Sequence, residues 1–535
     1  MRVAISRDNL IQIGLFIVFG VIGYFSINCS PIGGDEPFSI FQAQKSVPDI
    51  IARLKGGNNP PLFEIILHYW IKVFGISPTS VRFPSLIFSL LLLVVVYRLI
   101  RIELSMLTAV LGTSIVGFSN YYIYFLHEAR AYALFTLLAA VSIYLICLAL
   151  KKPGKKLFYV LLGLSYVSLA YTHYFGLATI LFQVCLVLVF LYGNKEFIKK
   201  YLVALVGCVL LFSPYIPEVV NRFADSSTNG TWIQPVENLG NLHDIIFLFA
   251  NKSKIVYGLL VGLLYATVGK YVWRLLNDSR IVKYGLLGVL VLFFCVSLSA
   301  FVPLPFIWRL TELKKFTYLF LAVFVLAIAY HNFTSEKKSS LSFIVLNCFL
   351  VPLLVFFIVS FKVPIFLDRY LVHIMPFFYL SVVFAAAYLV KGVIQLVVLG
   401  AVLIMMMVTY KPSTSDHSRF DLASTYIKSI KEKESQVFIC PPYTQLTYLY
   451  HFDNEAFKDY LGVENNEFSD LVLPIFNSVE MATELKAEQI IYIDVNADFV
   501  YPENNIVPSL KGEYELQDKK EFKHNLNVYT FNKVK

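Results

Sequence analysis

The chain has 535 residues, of which 57% are hydrophobic and 15% charged, with 47 Phe and 34 Tyr and a mean hydropathy of +0.66. Soluble domains are roughly 45–50% apolar and about 25% charged, so a soluble globular protein is excluded and an α-helical polytopic membrane protein is expected. The net charge of +9 forms no basic, aromatic-interleaved patch, which excludes nucleic acid as a partner, and the Lys and Arg residues gather in short loops as the positive-inside rule requires.

In chain order, windows of about twenty apolar residues, the length that crosses a hydrocarbon core, lie near 10–28, 83–100, 104–124, 131–150, 157–173, 175–192, 201–216, 254–274, 283–302, 316–331, 340–360, 370–390 and 392–410. That is about thirteen spans. With Arg2 and Arg7 cytoplasmic, every second loop is basic: Arg98/Arg101, Lys151/Lys152/Lys155/Lys156, Lys195/Lys199/Lys200, Arg274/Arg280/Lys283, Lys337/Lys338 and Lys391. No small-x-small site follows the first span, so it reads as an uncleaved helix rather than a signal peptide. Six of the seven cysteines (Cys29, Cys147, Cys185, Cys208, Cys295, Cys348) sit in or beside apolar helices, and neither these nor Cys440 indicate a disulfide framework or a metal site.

The first outer loop, 29–82, is long and predicts two interfacial helices, 36–54 and 61–74, the second opened by Pro60-Pro61. Glu64, His68 and Lys72 recur there at i, i+4, i+8, which fits either a surface charge ladder or part of a site. After Tyr410 the chain turns polar. Residues 411–535 predict a small α/β domain with an amphipathic run at 419–433 and strands at 436–440, 489–494 and 527–532. An odd number of spans places it outside the cytoplasm, and without a Walker loop, GxGxxG or zinc spacing it reads as a lid or docking domain. The domain division is therefore 1–410 and 411–535.

Mapped onto this topology, the polar groups that interrupt apolar sequence gather at the outer face: Asp35/Glu36, Glu64/His68, Arg82, His127/Glu128/Arg130, His173, Arg309/Glu312 and Asp368/Arg369. A transporter places such groups near the midplane on broken helices, and the near absence of mid-helix charge argues against one. An enzyme at the outer membrane–water boundary fits better. Its arginines suit an anionic, lipid-borne substrate, because guanidinium forks bind phosphate bidentately.

The runs GGDEPFSIFQAQ (33–44), NNPPLFEIILHYWIKVFG (58–75), SVRFPSLIFSLL (80–91), YYIYFLHEARAYALFTLLAAVSIYL (121–145), AYTHYFGL (170–177) and LDRYLVHIMPFF (367–378) together resemble the dolichyl-phosphate-mannose–protein mannosyltransferase-like group of the GT-C superfamily. That superfamily also holds the lipid A aminoarabinose transferases. Asn59 stands where the family often has His. The resemblance implies a GT-C fold and transfer, with inversion, from a polyprenyl-phosphate sugar donor to a protein, lipid or glycan acceptor at the extracytoplasmic face. Asp35 matches the family's first-loop acid and is the expected base, with Glu36 beside it. Arg130 and Arg369 are the expected phosphate clamps, with Arg82 and Lys362 behind them. His127, Glu128 and His173, with Glu64 and His68 in second place, are acceptor or sugar ligands or else polar helix ends. Tyr121, Tyr122, Tyr124 and Tyr132 read as an interfacial belt.

No metal is expected to be obligatory and no cofactor is implied, a divalent ion bridging Asp35 and the donor phosphate being the alternative. Two other classes stay open: a ligase or polymerase using polyprenyl-diphosphate-linked glycans, and a transporter of lipid-linked sugars. A bacterial cell membrane is expected over the endoplasmic reticulum, since no lumenal retention signal ends the chain. A reporter active only outside the cytoplasm should be active when fused after Lys535 and silent after Lys156; a silent fusion at Lys535 in a stably inserted protein would reverse the sidedness.

Overall fold

The computed structural model describes residues 6–55, 57, 59–191, 193–229, 233, 235–237, 240–275, 288, 341–412, 417–458, 472–474 and 487–534. Among these, six helices are long and apolar enough to cross a membrane: Arg7–Ser26 (α1), Pro78–Arg101 (α5), Tyr132–Lys151 (α8), Lys195–Ala224, Leu341–Val359 and Val372–Leu389. Two further helix pairs meet the same length and composition together but are bent at a break, Met106–Gly117 (α6) with Asn120–Leu126 (α7) by 65° and Gly240–Phe249 with Lys254–Lys270 by 103°. Lys156–Thr172, Tyr174–Phe190 and Val393–Val408 are apolar but shorter. The expected spans 283–302 and 316–331, with Arg309, Glu312 and Cys295, lie outside the described residues.

The outward faces require a non-aqueous surround. α1 buries the seam Gln12, Phe19, Gly23 and Ser26 at helical spacing, while Ile13, Ile17, Val21 and Phe25 lie open. Val203, Val206 and Leu210 are likewise open on the helix that starts at Lys195, as are Val393, Val397 and Ile404 on Val393–Val408. Soluble proteins rarely expose such contiguous apolar surface. At the end of the bundle where α1 begins, Asp8 takes hydrogen bonds from Tyr97 and from Arg101, and Arg98 bonds Gln12 and Asn9. α1 is thereby tied into the bundle at the basic turn.

A broken helix in an apolar surround must still satisfy its backbone. Asn251, in the left-handed region at φ 55°, occupies one break and serves the other. Its Oδ1 accepts from the Asn120 N–H at 2.7 Å, and its Nδ2 reaches the Phe118, Met406 and Thr409 oxygens at 3.1–3.3 Å.

At the opposite end, the loop 29–82 forms three short helices, Glu36–Ala43 (α2), Val47–Leu54 (α3) and Leu62–Phe74 (α4). The single helix expected over 36–54 is split because Ser46 caps a new start, accepting from the Asp49 N–H, with Pro48 in its first turn. The tail forms a helix at Phe420–Ile430, another at Gln445–Phe452, and a sheet of β1 (Ser435–Cys440), β2 (Leu473–Pro474), β3 (Gln489–Val495), β4 (Tyr514–Phe522) and β5 (Leu526–Lys533) in the order β2-β1-β3-β5-β4. β2, β1 and β3 are parallel, and β5 is antiparallel to β3 and β4. Alternation along the strands splits the core into two layers. Phe438, Ile490, Tyr492 and Phe531 pack with Ala497 and Ile506 on one face. Val437, Ile439, Ile491, Ile493 and Val528 pack on the other, with Ile427, Leu449, Ile40, Phe63 and Leu67. The tail and the loop 29–82 thus share a hydrophobic core at the same end of the bundle.

Replacing Asn251 by Ala strands the Asn120 N–H and the Phe118 carbonyl at about 1–3 kcal/mol for each buried group. A lowered apparent melting temperature in detergent is expected, and an unchanged one would remove Asn251 as the cap of both breaks.

Candidate active site

The turn before α2 brings the sequence-distant polar groups together. Gly34 has φ +55°, a conformation natural to glycine, and a Cβ on Gly33 would lie 2.9 Å from His417 of the tail. The two adjacent carboxylates then diverge. Glu36 is 1% exposed and takes Arg82 bidentately, Nε to Oε1 and Nη2 to Oε2 each at 2.7 Å. The Gly33 N–H also donates to its Oε2 at 3.2 Å and the Ala129 N–H to its Oε1 at 3.0 Å. Burial alone would raise the Glu36 pKa, but the Arg82 charge and these donors outweigh it and hold the group below the usual carboxylate range.

Arg82, fully buried, spends its remaining N–H groups on the Ile27, Ser30 and Pro31 carbonyls at 2.8–3.0 Å. All five guanidinium donors are thereby engaged. This geometry leaves Arg82 none for a donor phosphate and leaves Glu36 enclosed, so the roles expected from sequence for these two do not fit where the structure places them.

Asp35 points the other way. It stands at the N-cap of α2, yet its side chain makes no capping bond; Oδ2 instead meets Arg369 Nη1 at 2.8 Å, with the Asp35 side chain 48% and the Arg369 side chain 28% exposed. Arg369 lies in the 3-10 turn Asp368–Tyr370, fixed where Asp368 Oδ1 accepts the Arg369 N–H and the Asp368 carbonyl accepts the Tyr121 hydroxyl. Arg130 is buried beneath, donating from Nη1 to Ser39 Oγ at 2.7 Å and to the Asp35 carbonyl at 3.4 Å. Burial opposes the charge of both arginines, but Tyr132 and Asp35 more than offset it, so both stay cationic.

Glu64 joins the cluster through Ser39, whose hydroxyl donates to Oε1 at 2.9 Å, while its Oε2 has no hydrogen-bond partner among the described residues. Burial raises its pKa, with Arg130 offsetting part. His68 is buried one turn further along α4, bonded through Nδ1 to the Ala43 carbonyl at 2.8 Å, whereas Lys72 is exposed. Glu64 and His68 therefore face α2, and the three do not form a surface ladder.

The histidines are structural in geometry. His127 Nε2 pairs with Ser26 Oγ at 2.8 Å, and burial, then the Arg82 charge, pushes its pKa down to about 4. His173 caps Tyr174–Phe190 by accepting the Phe175 N–H on Nδ1 at 3.1 Å, its ring stacked on Phe135 at 4.9 Å; burial above all lowers it to about 3. Glu128 is pushed up to about 8 by burial and the Glu36 charge, and its Oε1 lies 4.0 Å from His417 Nε2. Lys362 is exposed beyond Leu341–Val359, and its side chain bonds none of the described residues. Tyr121, Tyr122 and Tyr132 are buried rather than set out as a belt, and the Arg130 guanidinium lies 5.9 Å from the Tyr132 ring. Among the described residues no group of three His, Cys, Asp or Glu side chains is arranged to hold a metal ion.

Sequence reasoning missed Ser39 and His417, and placed Tyr132 in an interfacial belt. Ser39 alone had a usable signal, since it lies one helical turn after Asp35 and Glu36.

Residues 58–217 match the model of a family described as dolichyl-phosphate-mannose-protein mannosyltransferase. The resemblance read from the motifs therefore stands over that part of the chain, and it is to a family of glycosyltransferases. The matched part contains Glu64, His68, Arg82, His127, Glu128, Arg130 and His173; Asp35 precedes it and Arg369 follows it. No curated protein matches. Among solved structures, ArnT from Cupriavidus metallidurans in the apo state is similar at 11% identity over 97% of this chain and 97% of that one, with a TM-score of 0.45. ArnT bound to undecaprenyl phosphate gives 10%, 97%, 97% and 0.46. The archaeal oligosaccharyltransferase AglB from Archaeoglobus fulgidus, in complex with an inhibitory peptide and a dolichol-phosphate, gives 10% over 97% of this chain and 74% of that one, with a TM-score of 0.47. Such identities and scores carry neither a function nor a residue's role to this chain.

Glu128 and His127 give stability a pH signature. Between pH 4.5 and about 8 folded Glu128 holds a proton that the unfolded chain lacks, so its contribution falls as pH rises; between about 4 and 6.5 unfolded His127 holds a proton that the folded chain lacks, so its contribution rises. The two slopes oppose each other up to pH 6.5. Above it Glu128 alone of the pair acts, at up to about 1.4 kcal/mol per pH unit. Glu128→Gln should flatten the fall in apparent melting temperature from pH 6.5 to 8, and an unaltered slope would refute a buried neutral Glu128.

Proposed function

We propose that this chain transfers a sugar from a polyprenyl-phosphate-linked donor to an acceptor hydroxyl at the extracytoplasmic membrane face, with Asp35 as general base. The observation that carries the reading is the solvent-open Asp35 carboxylate paired with Arg369 at 2.8 Å and backed by buried Arg130: a base and two cations converge beside an apolar bundle. The family match at 58–217 supports the donor class by its description.

In the step proposed, Asp35 takes the proton of the acceptor hydroxyl as that oxygen attacks the anomeric carbon, and the bond from that carbon to the phosphate oxygen breaks with inversion. The leaving group is already a phosphate, so it needs charge stabilisation more than a proton. Arg369 and Arg130 supply it. In the structure Arg369 is spent on Asp35; an arriving phosphate competes for that guanidinium and releases the carboxylate for the acceptor. Arg130 cannot follow the phosphate outward, being fixed on Ser39 and the Asp35 backbone. The acceptor, whether protein, lipid or glycan, meets the site from the open side of Asp35, and this reading assigns no acceptor role to His127 or His173.

Asp35→Asn should lower turnover by about 10²–10⁴-fold with donor affinity unchanged or improved, because a negative charge next to the phosphate is lost. Arg369→Ala and Arg130→Ala should weaken donor use by about 1.5–3 kcal/mol, whereas Arg98→Ala, bonded to Gln12 and Asn9, should not. Turnover and donor binding on purified variants, together with mass spectrometry of envelope glycans with and without the gene, check these outcomes. An Asp35→Asn enzyme within about tenfold of the parent would sink the assignment.

A further inference from the structure

We propose that His417, contributed by the tail, is a positioning residue for Asp35. Its imidazole is wedged against the Gly33-Gly34 turn and holds the backbone that presents the carboxylate. The inference rests on the reading of Asp35 as the base.

The turn is held from two sides. From within the bundle, Arg82 donates to the Ser30 and Pro31 carbonyls, and Glu36 Oε2 accepts the Gly33 N–H. From the tail, His417 Nδ1 lies 3.3 Å from the Pro31 carbonyl and His451 Nε2 2.8 Å from the Ile32 carbonyl. Three successive carbonyls leading into the Gly-Gly pair are thus taken by side chains from other elements. The His417 ring itself covers the pair: a Cβ added at Gly33 would come within 2.9 Å of its Cβ and Cγ, and one at Gly34 within 3.2 Å of its Nε2.

Glycine at both positions therefore admits the imidazole, and Gly34 also supplies the positive φ. Its nitrogens stand 3.9 Å from Glu36 Oε2 and 4.0 Å from Glu128 Oε1, beyond hydrogen-bond reach of either acid. With its side chain 12% exposed, it fills the space between the turn and the two acids. Without it the two glycines would regain the freedom that their lack of a Cβ confers, and Asp35 directly follows them. A base displaced by about 1 Å costs on the order of 10²-fold in rate while substrate still binds. A docking contact with no bearing on the turn would leave that ratio alone.

The test uses the full chain in lipid nanodiscs, with hydrogen–deuterium exchange over 33–36 and kinetics with a polyprenyl-phosphate sugar. His417→Ala is expected to speed exchange at these amides and to lower kcat by about tenfold or more, with the donor KM within about threefold. Gly33→Ala, which pushes the ring away, should do the same, and the double variant should lose no more than the worse single one, because both break one contact. Gln44→Ala, which removes a tail contact to the Phe457 carbonyl away from the turn, should change neither reading. Multiplicative losses in the double variant, unchanged exchange in His417→Ala, or equal damage from Gln44→Ala would each overturn the proposal. Should the parent itself transfer no sugar, the functional reading falls on that result alone, and exchange at 33–36 still decides whether His417 fixes the turn.

Discussion

The buried pair of Glu36 and Arg82 is the constraint on which the outer end of this molecule depends. Two charges removed from water are costly unless every remaining donor and acceptor is met. Here they are: Arg82 spends all its donors on Glu36 and three carbonyls, and Glu36 takes two backbone N–H groups besides. Removing either partner would leave an uncompensated buried charge, at about 3–5 kcal/mol. The pair also joins α1's end, the first turn of the loop, α5 and the start of α8 at a single point. Because Glu36 points inward to meet Arg82, Asp35, immediately before it in the chain, is turned outward.

The same logic ranks the three arginines. Arg82 is fully buried with its donors consumed; Arg130 is buried but bonded to a serine hydroxyl and a carbonyl, weaker partners than a carboxylate; Arg369 is partly open and holds one carboxylate. Exposure, and with it access for an incoming anion, rises in that order. Membership in a polar cluster at the outer face does not distinguish the three. Their burial does.

Much of this was legible in the sequence. Apolar windows located the apolar helices among the described residues because hydropathy and length are local properties, and Asp35, Arg130 and Arg369, grouped together from the sequence, do meet in space. The breaks at 118–119 and 250–253 were not legible, because their stability depends on Asn251, remote in sequence from one of the breaks it serves. The strand β4 was missed since Tyr514–Phe522 is an edge strand exposed along nearly its whole length, without the alternation that a half-buried strand shows. The opposite fates of Asp35 and Glu36 were hidden as well, as adjacent carboxylates look alike until a buried partner selects one. Nothing near Gly33-Gly34 in the sequence revealed that a histidine from beyond residue 410 packs against the turn there.

The division at 410 separates chemically different sequences, but one of the tail's two core layers is shared across it. The loop 29–82 and the tail bury Ile40, Phe63, Leu67, Ile427, Ile491 and Val528 in a single cluster, so the tail is poorly suited to open and close as a lid without exposing apolar surface. A docked tail makes better use of that shared core as a fixed support, with hydrogen bonds from Tyr450 to the Ile76 carbonyl and from His451 to the Ile32 carbonyl at its edge. On the mechanism proposed above, motion falls to the smaller parts: the Arg369 side chain, which would leave Asp35 for a phosphate, and the carboxylate it would release. On that reading a site that moves only side chains would hold its proposed base and its buried cation Arg130 in place, as electrostatic preorganisation requires.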